Sequence, residues 1–276
     1  MWLLLFTLSV VPPPTVAGVQ TLFVKVGPNP KVPGRSAGQS RAVVLIHGLA
    51  LYPLSKERIL TARLRTWQQP ESLLVKSLSK DSDVYSLAYA QTSSVEAISQ
   101  SQVILNYLSN LRTQGYQQIV LIGHSAGGLI ARQLVEDHPQ LGVTRVIQVC
   151  APNIGSSLAN LKAVRPAQTA FLNSLTRTDR LKVLELRSDR RIPEEVDFAC
   201  VVGSGRLGGD GVVVARSQWS ADLQNQGIPA FPVRVLHWEA MKNPNSIELI
   251  ARLVREPLPR WHPARVAEVR KQLLGS

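Results

Sequence analysis

The sequence predicts an α/β fold: a mainly parallel sheet with helices on both faces and a short helical cap. Three observations carry that expectation. Short runs of apolar, β-branched residues alternate along the chain with stretches of helical spacing. One run, 42–46 (Ala-Val-Val-Leu-Ile), has no polar side chain, as expected for a central strand buried on both faces. Another, 118–122, ends in Gly123-His124-Ser125-Ala126-Gly127 and passes at once into a helical pattern.

In chain order, residues 1–11 form an apolar run too short to cross a bilayer. It fits the apolar region of a signal peptide, with Thr15-Val16-Ala17 as the cleavage site, so residues 1–17 are expected to be removed and the protein exported, to the periplasm or outside the cell. Without cleavage the expectation is a cytoplasmic protein. Residues 18–40 read as an N-terminal segment whose Pro- and Gly-rich part, 27–38, is a linker or loop. The main domain then covers 41–276. After the strand at 42–46 comes one at 83–90, then a helix over 95–111 with Ser94 as a candidate N-cap. The strand at 118–122 leads into a helix over 129–136, stopped by His138-Pro139. Strands at 143–150, 197–202 and 231–236 follow, and helices over 246–255 and 263–274 close the chain. The interval 153–195 is the one long insertion. Within it Leu158, Leu161 and Val164, then Phe171, Leu172 and Leu175, recur at helical spacing and predict two short cap helices.

Composition narrows the field. The 276 residues, 45% hydrophobic and 18% charged, suit one globular α/β domain. The net charge is +12, with basic residues gathered at Lys56, Arg58, Arg63 and Arg65, at 177–191 and at 252–271. Such a surface attracts anionic membranes or polyanions, or is simply a solvated basic face. Nucleic acid is not among the expected partners, because no recognition motif or aromatic interleaving accompanies the charge. Cys150 and Cys200 each sit in a predicted core strand, as two apolar thiols or as a disulfide if those strands are neighbours. No Cys/His cluster has metal-ligand spacing.

The chemistry starts at Ser125. A Gly-x-Ser-x-Gly turn between strand and helix lifts the serine hydroxyl clear of the sheet, and small residues two positions either side let strand and helix approach. A serine needs a base, and the base needs an acid to fix its tautomer. His237 directly follows the apolar strand 231–236, where a loop carries it over the sheet edge. His262 lies in an Arg-rich segment near the end, and His138 closes the serine helix and points away. Asp210, in Gly208-Gly209-Asp210-Gly211, sits in a sharp turn just beyond the strand ending near 202. A plain turn-forming Asp-Gly pair would look the same. Asp222 falls on a helix and Asp197 at the opposite end of its strand. The developing oxyanion needs two backbone donors: Ala126, at the helix N-terminus, and Leu49, in the loop His47-Gly48-Leu49-Ala50. His47 braces that loop. His124 flanks the serine without a part in proton transfer.

These motifs, Leu45-Ile46-His47-Gly48-Leu49, Gly123-His124-Ser125-Ala126-Gly127-Gly128, Gly209-Asp210-Gly211-Val212-Val213 and His237-Trp238-Glu239, resemble those of bacterial lipases and esterases of the α/β-hydrolase superfamily over roughly residues 41–255. The chain order serine, acid, histidine is that of the superfamily. Residues 151–159 resemble a lipase segment written P-H-x-G-S-x-L-A, with Asn153 in place of its histidine. The resemblance implies hydrolysis of carboxylic esters through an acyl-enzyme, without cofactor or metal, on a lipid or other small apolar acyl ester. The same triad serves amidases, thioesterases and depolymerases, and a non-catalytic binding protein would keep the fold.

Overall fold

A computed structural model describes residues 19–50, 56–156, 166–206 and 208–275. The signal segment 1–17 and the first expected cap helix, at Leu158, Leu161 and Val164, lie outside them.

One sheet of seven strands runs in the order β1-β3-β2-β4-β5-β6-β7. Its strands are β1 (Thr21–Gly27), β2 (Arg41–Ile46), β3 (Asp83–Tyr89), β4 (Gln118–His124), β5 (Arg145–Val149), β6 (Asp197–Gly203) and β7 (Ala230–Val233). Strands β2 to β7 are parallel, and β1 pairs antiparallel with β3 at the edge. The residues of β2 divide cleanly by parity. Ala42, Val44 and Ile46 enter the core on one face, while Val43 and Leu45 enter it on the other, all fully buried. A strand sandwiched between two helical layers has no wet face, hence its unbroken apolar run.

Before β3 come α1 (Lys56–Leu60) and α2 (Leu73–Leu78), and between β3 and β4 lie α3 (Val95–Ser99) and α4 (Gln102–Thr113). The serine helix is α5 (Ala126–Asp137), and α6 (Thr169–Asn173) with α7 (Arg177–Leu186) follows in the insertion. Short α8 (Ala215–Gln218) and α9 (Ala221–Asn225) precede β7, and α10 (Pro244–Arg255) and α11 (Pro263–Leu274) end the chain. Helices α2 and α10 cover one face through Leu74, Val75, Leu78, Ile247 and Ile250. Helices α3, α4, α5 and α11 cover the other. No helix among the described residues is long and apolar enough to cross a membrane.

Several sequence expectations need correction. Residues 21–27, read from sequence only as part of an N-terminal segment up to the start of the Pro/Gly loop, form a strand. Their pattern is that of a half-exposed edge, and Lys25 is buried because its ammonium pairs with Asp83 at 3.0 Å. That pair and its neighbours, Lys25 Nζ donating to Gly34 O at 2.8 Å and Ser36 N donating to Asp83 Oδ2 at 2.7 Å, tie the Pro/Gly loop to β3. The single helix expected over 95–111 is two, broken where Ser101 turns extended (φ −64°, ψ 116°) as the N-cap of α4. The strand expected over 231–236 stops at Val233, and Val235 then turns to bond back to Val233 O. Cys150 and Cys200 are both buried free thiols.

The basic stretch 177–191 is also only partly a surface feature. Arg180, almost wholly buried, donates to Glu96 at 2.7 Å, and Arg187 reaches Glu136 and Asp137, each at 2.9 Å. These pairs dock α7, which periodicity did not reveal, onto α3 and α5.

Candidate active site

The chain leaves β2 for β3 and returns past it to β4, so the sheet's switch point lies between the carboxyl ends of β2 and β4. Open α/β sheets bind ligands in that crevice. The loop His47–Ala50 and Ser125 both stand there.

Ser125 has φ 54° and ψ −126°, a conformation that costs a non-glycine residue about 1–3 kcal/mol and persists only where its surroundings enforce it. The enforcement is close packing. A Cβ on Gly123 would lie 2.3 Å from Gly127 O, and one on Gly127 would lie 2.3 Å from Ile46 O. Both glycines are therefore required by backbone against backbone. Ser125 N donates to Val149 O at 2.8 Å, fixing the turn to β5. Every residue of α5 from Ala126 to Glu136 is buried, so the serine stands on a helix with no wet side.

Across the crevice, a Cβ on Gly48 would come within 2.4 Å of Ser125 Cβ, which places the loop against the serine. His47 braces that loop as expected. Its ring stacks on Tyr89 with centroids 4.3 Å apart, Nδ1–H donates to Gly48 O at 2.9 Å, and Nε2 accepts from Tyr89 N at 3.3 Å. Burial, helped by the nearby Arg65 charge, pushes the His47 pKa down to about 3. It is a neutral strut. Leu49 is half-buried beside Gly48, and Ala50 N donates to Gln91 Oε1 at 2.9 Å. From the insertion, Gln168 Nε2 donates to Ala50 O at 2.9 Å.

Asp210 is fully buried and uses both carboxylate oxygens. Oδ1 accepts from Val212 N at 2.9 Å and Val213 N at 2.7 Å, which closes the glycine-rich turn. Oδ2 accepts from His237 Nδ1 at 2.7 Å. One oxygen thus closes the turn and the other meets the His237 ring. Burial works to raise the Asp210 carboxyl. The His237 hydrogen bond and charge, with the two amides, outweigh it and hold the group below its ordinary value.

The competitors are occupied elsewhere. His262 caps α11, accepting from Arg265 N at 3.3 Å, and half-buried His138 lies beside Gln100 at 2.9 Å. Asp222 on α9 pairs with Arg132 at 2.6 Å, and Asp197 pairs with Arg145 at 2.5 Å at the start of β6. Asn153, at the position where the lipase-like segment would carry histidine, is fully buried in a polar network with Gln148 and Gln218. It is a structural residue.

Two residues gain roles that sequence reasoning missed. His124 Nε2–H donates to His237 O at 3.0 Å, and the two rings lie 4.8 Å apart. Burial first, then the neighbouring His237, pushes the His124 pKa to about 3, so it holds the His237 loop as a neutral donor. Cys150, at φ 54° just past β5, brings its sulfur within 4.8 Å of the ligand atoms of Asp210 and His237. Burial and the Asp210 charge push that thiol up from its ordinary value. Among the described contacts Ser125 Oγ makes no hydrogen bond to His237. Such bonds are often long in unliganded sites and tighten around substrate.

A sequence model described as the alpha/beta hydrolase family matches residues 43–272. The chain belongs to that family. No curated protein matches this hydrolase by sequence. Solved structures share its fold at low identity. The mature lipase BlEst2 of Bacillus licheniformis is 14% identical with a TM-score of 0.64, covering 84% of this chain and 98% of that one. The metagenomic carboxyl esterase MGS0156 is 17% identical with a TM-score of 0.51, over 98% and 82% of the two chains. Lipase B of Aspergillus fumigatus is 14% identical with a TM-score of 0.56, over 84% and 57%.

Beside the crevice this hydrolase has a cleft of about 340 Å³, lined among others by Leu49, Arg65, Trp67, His124, Trp238 and Lys242. A larger groove, about 690 Å³, lies between α2 and α10, away from Ser125.

Proposed function

We propose that this protein is a serine carboxylester hydrolase of lipase/esterase type, acting on apolar acyl esters through an acyl-enzyme. The 2.7 Å hydrogen bond between His237 Nδ1 and Asp210 Oδ2, together with a serine on a strained elbow, carries the reading. With Nδ1–H committed to the carboxylate, Nε2 keeps its lone pair and takes the Ser125 proton as Oγ attacks the ester carbonyl. The amides of Leu49 and Ala126 receive the oxyanion. His237 then returns the proton to the leaving alcohol, and a water repeats the sequence to free the acid. The insertion 153–195 is the cap, bonded through Gln168 to the loop that carries Leu49. The lipases and esterases that share the fold support the substrate class.

Turnover of p-nitrophenyl esters by wild type and Ser125→Ala tests the proposal. The variant should lose about six orders of magnitude in kcat with its melting temperature kept. Equal turnover by the two proteins would refute the assignment. Matched thioesters and anilides in the same assay decide which leaving group the site accepts.

A further inference from the structure

We propose that Cys150, Asp210 and His237 form a binding site for a soft divalent cation, Zn2+ above all, whose occupation reversibly stops turnover at Ser125. This rests on the ester-hydrolase reading and adds an inhibitory ligand to it.

Among the described residues these three alone bring Cys, His and carboxylate ligand atoms together, all within 4.8 Å of one another. Ligands of one tetrahedral zinc stand roughly 3.3–3.8 Å apart, as bonds of about 2.0–2.3 Å require, so shifts of about 1 Å or less suit the group to an ion. The backbone holds the sulfur in place. Cys150 N donates to Val201 O at 3.0 Å, and Val149 O, in the peptide before it, accepts from Ser125 N at 2.8 Å. Cys150 takes φ 54°, and is one of three non-glycine residues among those described in the left-handed region, Ser125 being another. Such strain gathers at active sites and ligand clamps. Gly203 makes the space, since a Cβ there would lie 2.8 Å from Asp210 Cβ and 2.9 Å from Cys150 Sγ. Cys150 and Asp210 are wholly buried, while the His237 side chain, 12% exposed, leaves an edge by which an ion enters.

Charge favours the same ion. On binding, the thiol releases its proton to solvent, the carboxylate is already ionised and the imidazole stays neutral. Thiolate and carboxylate then balance the two positive charges, as a buried position demands. Thiolate and imidazole select Zn2+ over Mg2+ and Ca2+. Inhibition follows from the single lone pair of a neutral imidazole. A cation on Nε2 takes the pair that receives the Ser125 proton. A cation on Nδ1 drives the ring proton to Nε2, with the same result.

The test titrates Zn2+ into the purified protein, with Mg2+ and Ca2+ as controls, and reads p-nitrophenyl ester turnover and bound metal by native mass spectrometry. Wild type should bind one zinc per chain and lose turnover in proportion, with recovery on EDTA, while Mg2+ and Ca2+ leave the rate alone. Each variant is referred to its own metal-free rate. Cys150→Ser and Cys150→Ala should need at least about a hundredfold more zinc for the same fractional loss, more than an outer-shell partner costs. His138→Gln and His262→Gln, which remove imidazoles elsewhere, should keep wild-type sensitivity. Cd2+, a softer stand-in, should give a thiolate-to-metal charge-transfer band in wild type, in Ser125→Ala and in Cys200→Ser, but not in Cys150→Ser. A thiol that only packs would give no such band, so its absence in wild type would overturn the inference even if neither Cys150 variant folds. Turnover indifferent to zinc, or equally sensitive in the Cys150 variants, would also overturn it and leave the hydrolase reading intact. Zinc and the Cd2+ band in Ser125→Ala as in wild type, with no ester cleaved by wild type, would keep the metal site and sink the hydrolase reading instead.

Discussion

His237 and Asp210 are joined twice. The imidazole Nδ1 donates to the carboxylate at 2.7 Å, and the His237 amide donates to the Asp210 carbonyl at 3.0 Å. The backbone bond sets the two loops in register, and the side-chain bond then fixes the ring and its tautomer. Asp210→Asn should therefore leave the loop in place and present the wrong ring nitrogen. The expected loss is about four orders of magnitude in kcat with little change in KM or melting temperature. Steady-state kinetics with a circular-dichroism melt check it. A kcat within tenfold of wild type would show that the carboxylate does not orient the base.

His124 should act through position, without donating a proton to substrate. Its Nε2–H holds the His237 carbonyl, so His124→Phe keeps the ring packing and removes the bond. A displaced base costs about a hundredfold in rate. The prediction is a fall in kcat for neutral esters with KM nearly constant, and partial rescue by His124→Gln, whose amide can reach the same carbonyl. A KM effect larger than the kcat effect would contradict it.

Acid sensitivity has a defined sign. His47 and His124 hold folded pKa values near 3, below the ordinary 6.5, so below pH 6.5 the unfolded chain takes up protons that the folded chain refuses. Stability is complete above pH 6.5 and is lost as the pH falls, at up to about 1.4 kcal/mol per pH unit for each histidine. Asp83, Asp210 and Asp222 are held below 3.8 and add their losses only beneath that value. Urea midpoints should then be flat above pH 7 and drop between pH 6.5 and 4. The slope should be about halved in His47→Gln. An unchanged slope would mean that His47 is not kept neutral by burial.

Gly127→Ala places a methyl 2.3 Å from Ile46 O, where only backbone can yield. Overpacking of that kind costs about 1–3 kcal/mol or more, and relaxing it means moving α5 away from β2. Thermal unfolding should show a loss of several degrees, with ester turnover falling further than stability does because Ser125 rides on the same turn. A variant with wild-type stability and rate would mean that the elbow has slack.

What could be read from the sequence followed from burial. The inner parts of strands β2 and β4, 42–46 and 119–122, are wet on neither face, so those residues are uniformly apolar, and the elbow glycines are dictated by backbone contact. Strand β1 escaped notice because an edge strand is half exposed and because Lys25, normally a surface residue, is buried by pairing with Asp83. Helix α7 escaped for a similar reason. It is anchored less by an apolar stripe than by Arg180 and Arg187, whose ion pairs are invisible until the partners on α3 and α5 are in place. At the site, Ser125, Asp210 and His237 each carry a local signature in turn and strand patterns. His124 and Cys150 have none. Their parts arise from two loops meeting across more than fifty positions of sequence, which no local spacing encodes.

The central claim is that Ser125 is activated by His237. Labelling with a fluorophosphonate, read by mass spectrometry of the adduct peptide, tests it most directly. The account predicts rapid modification at Ser125 in wild type, none in Ser125→Ala, and a rate reduced by several orders of magnitude in His237→Ala. Labelling of His237→Ala as fast as wild type, or an adduct on any other residue, would contradict it.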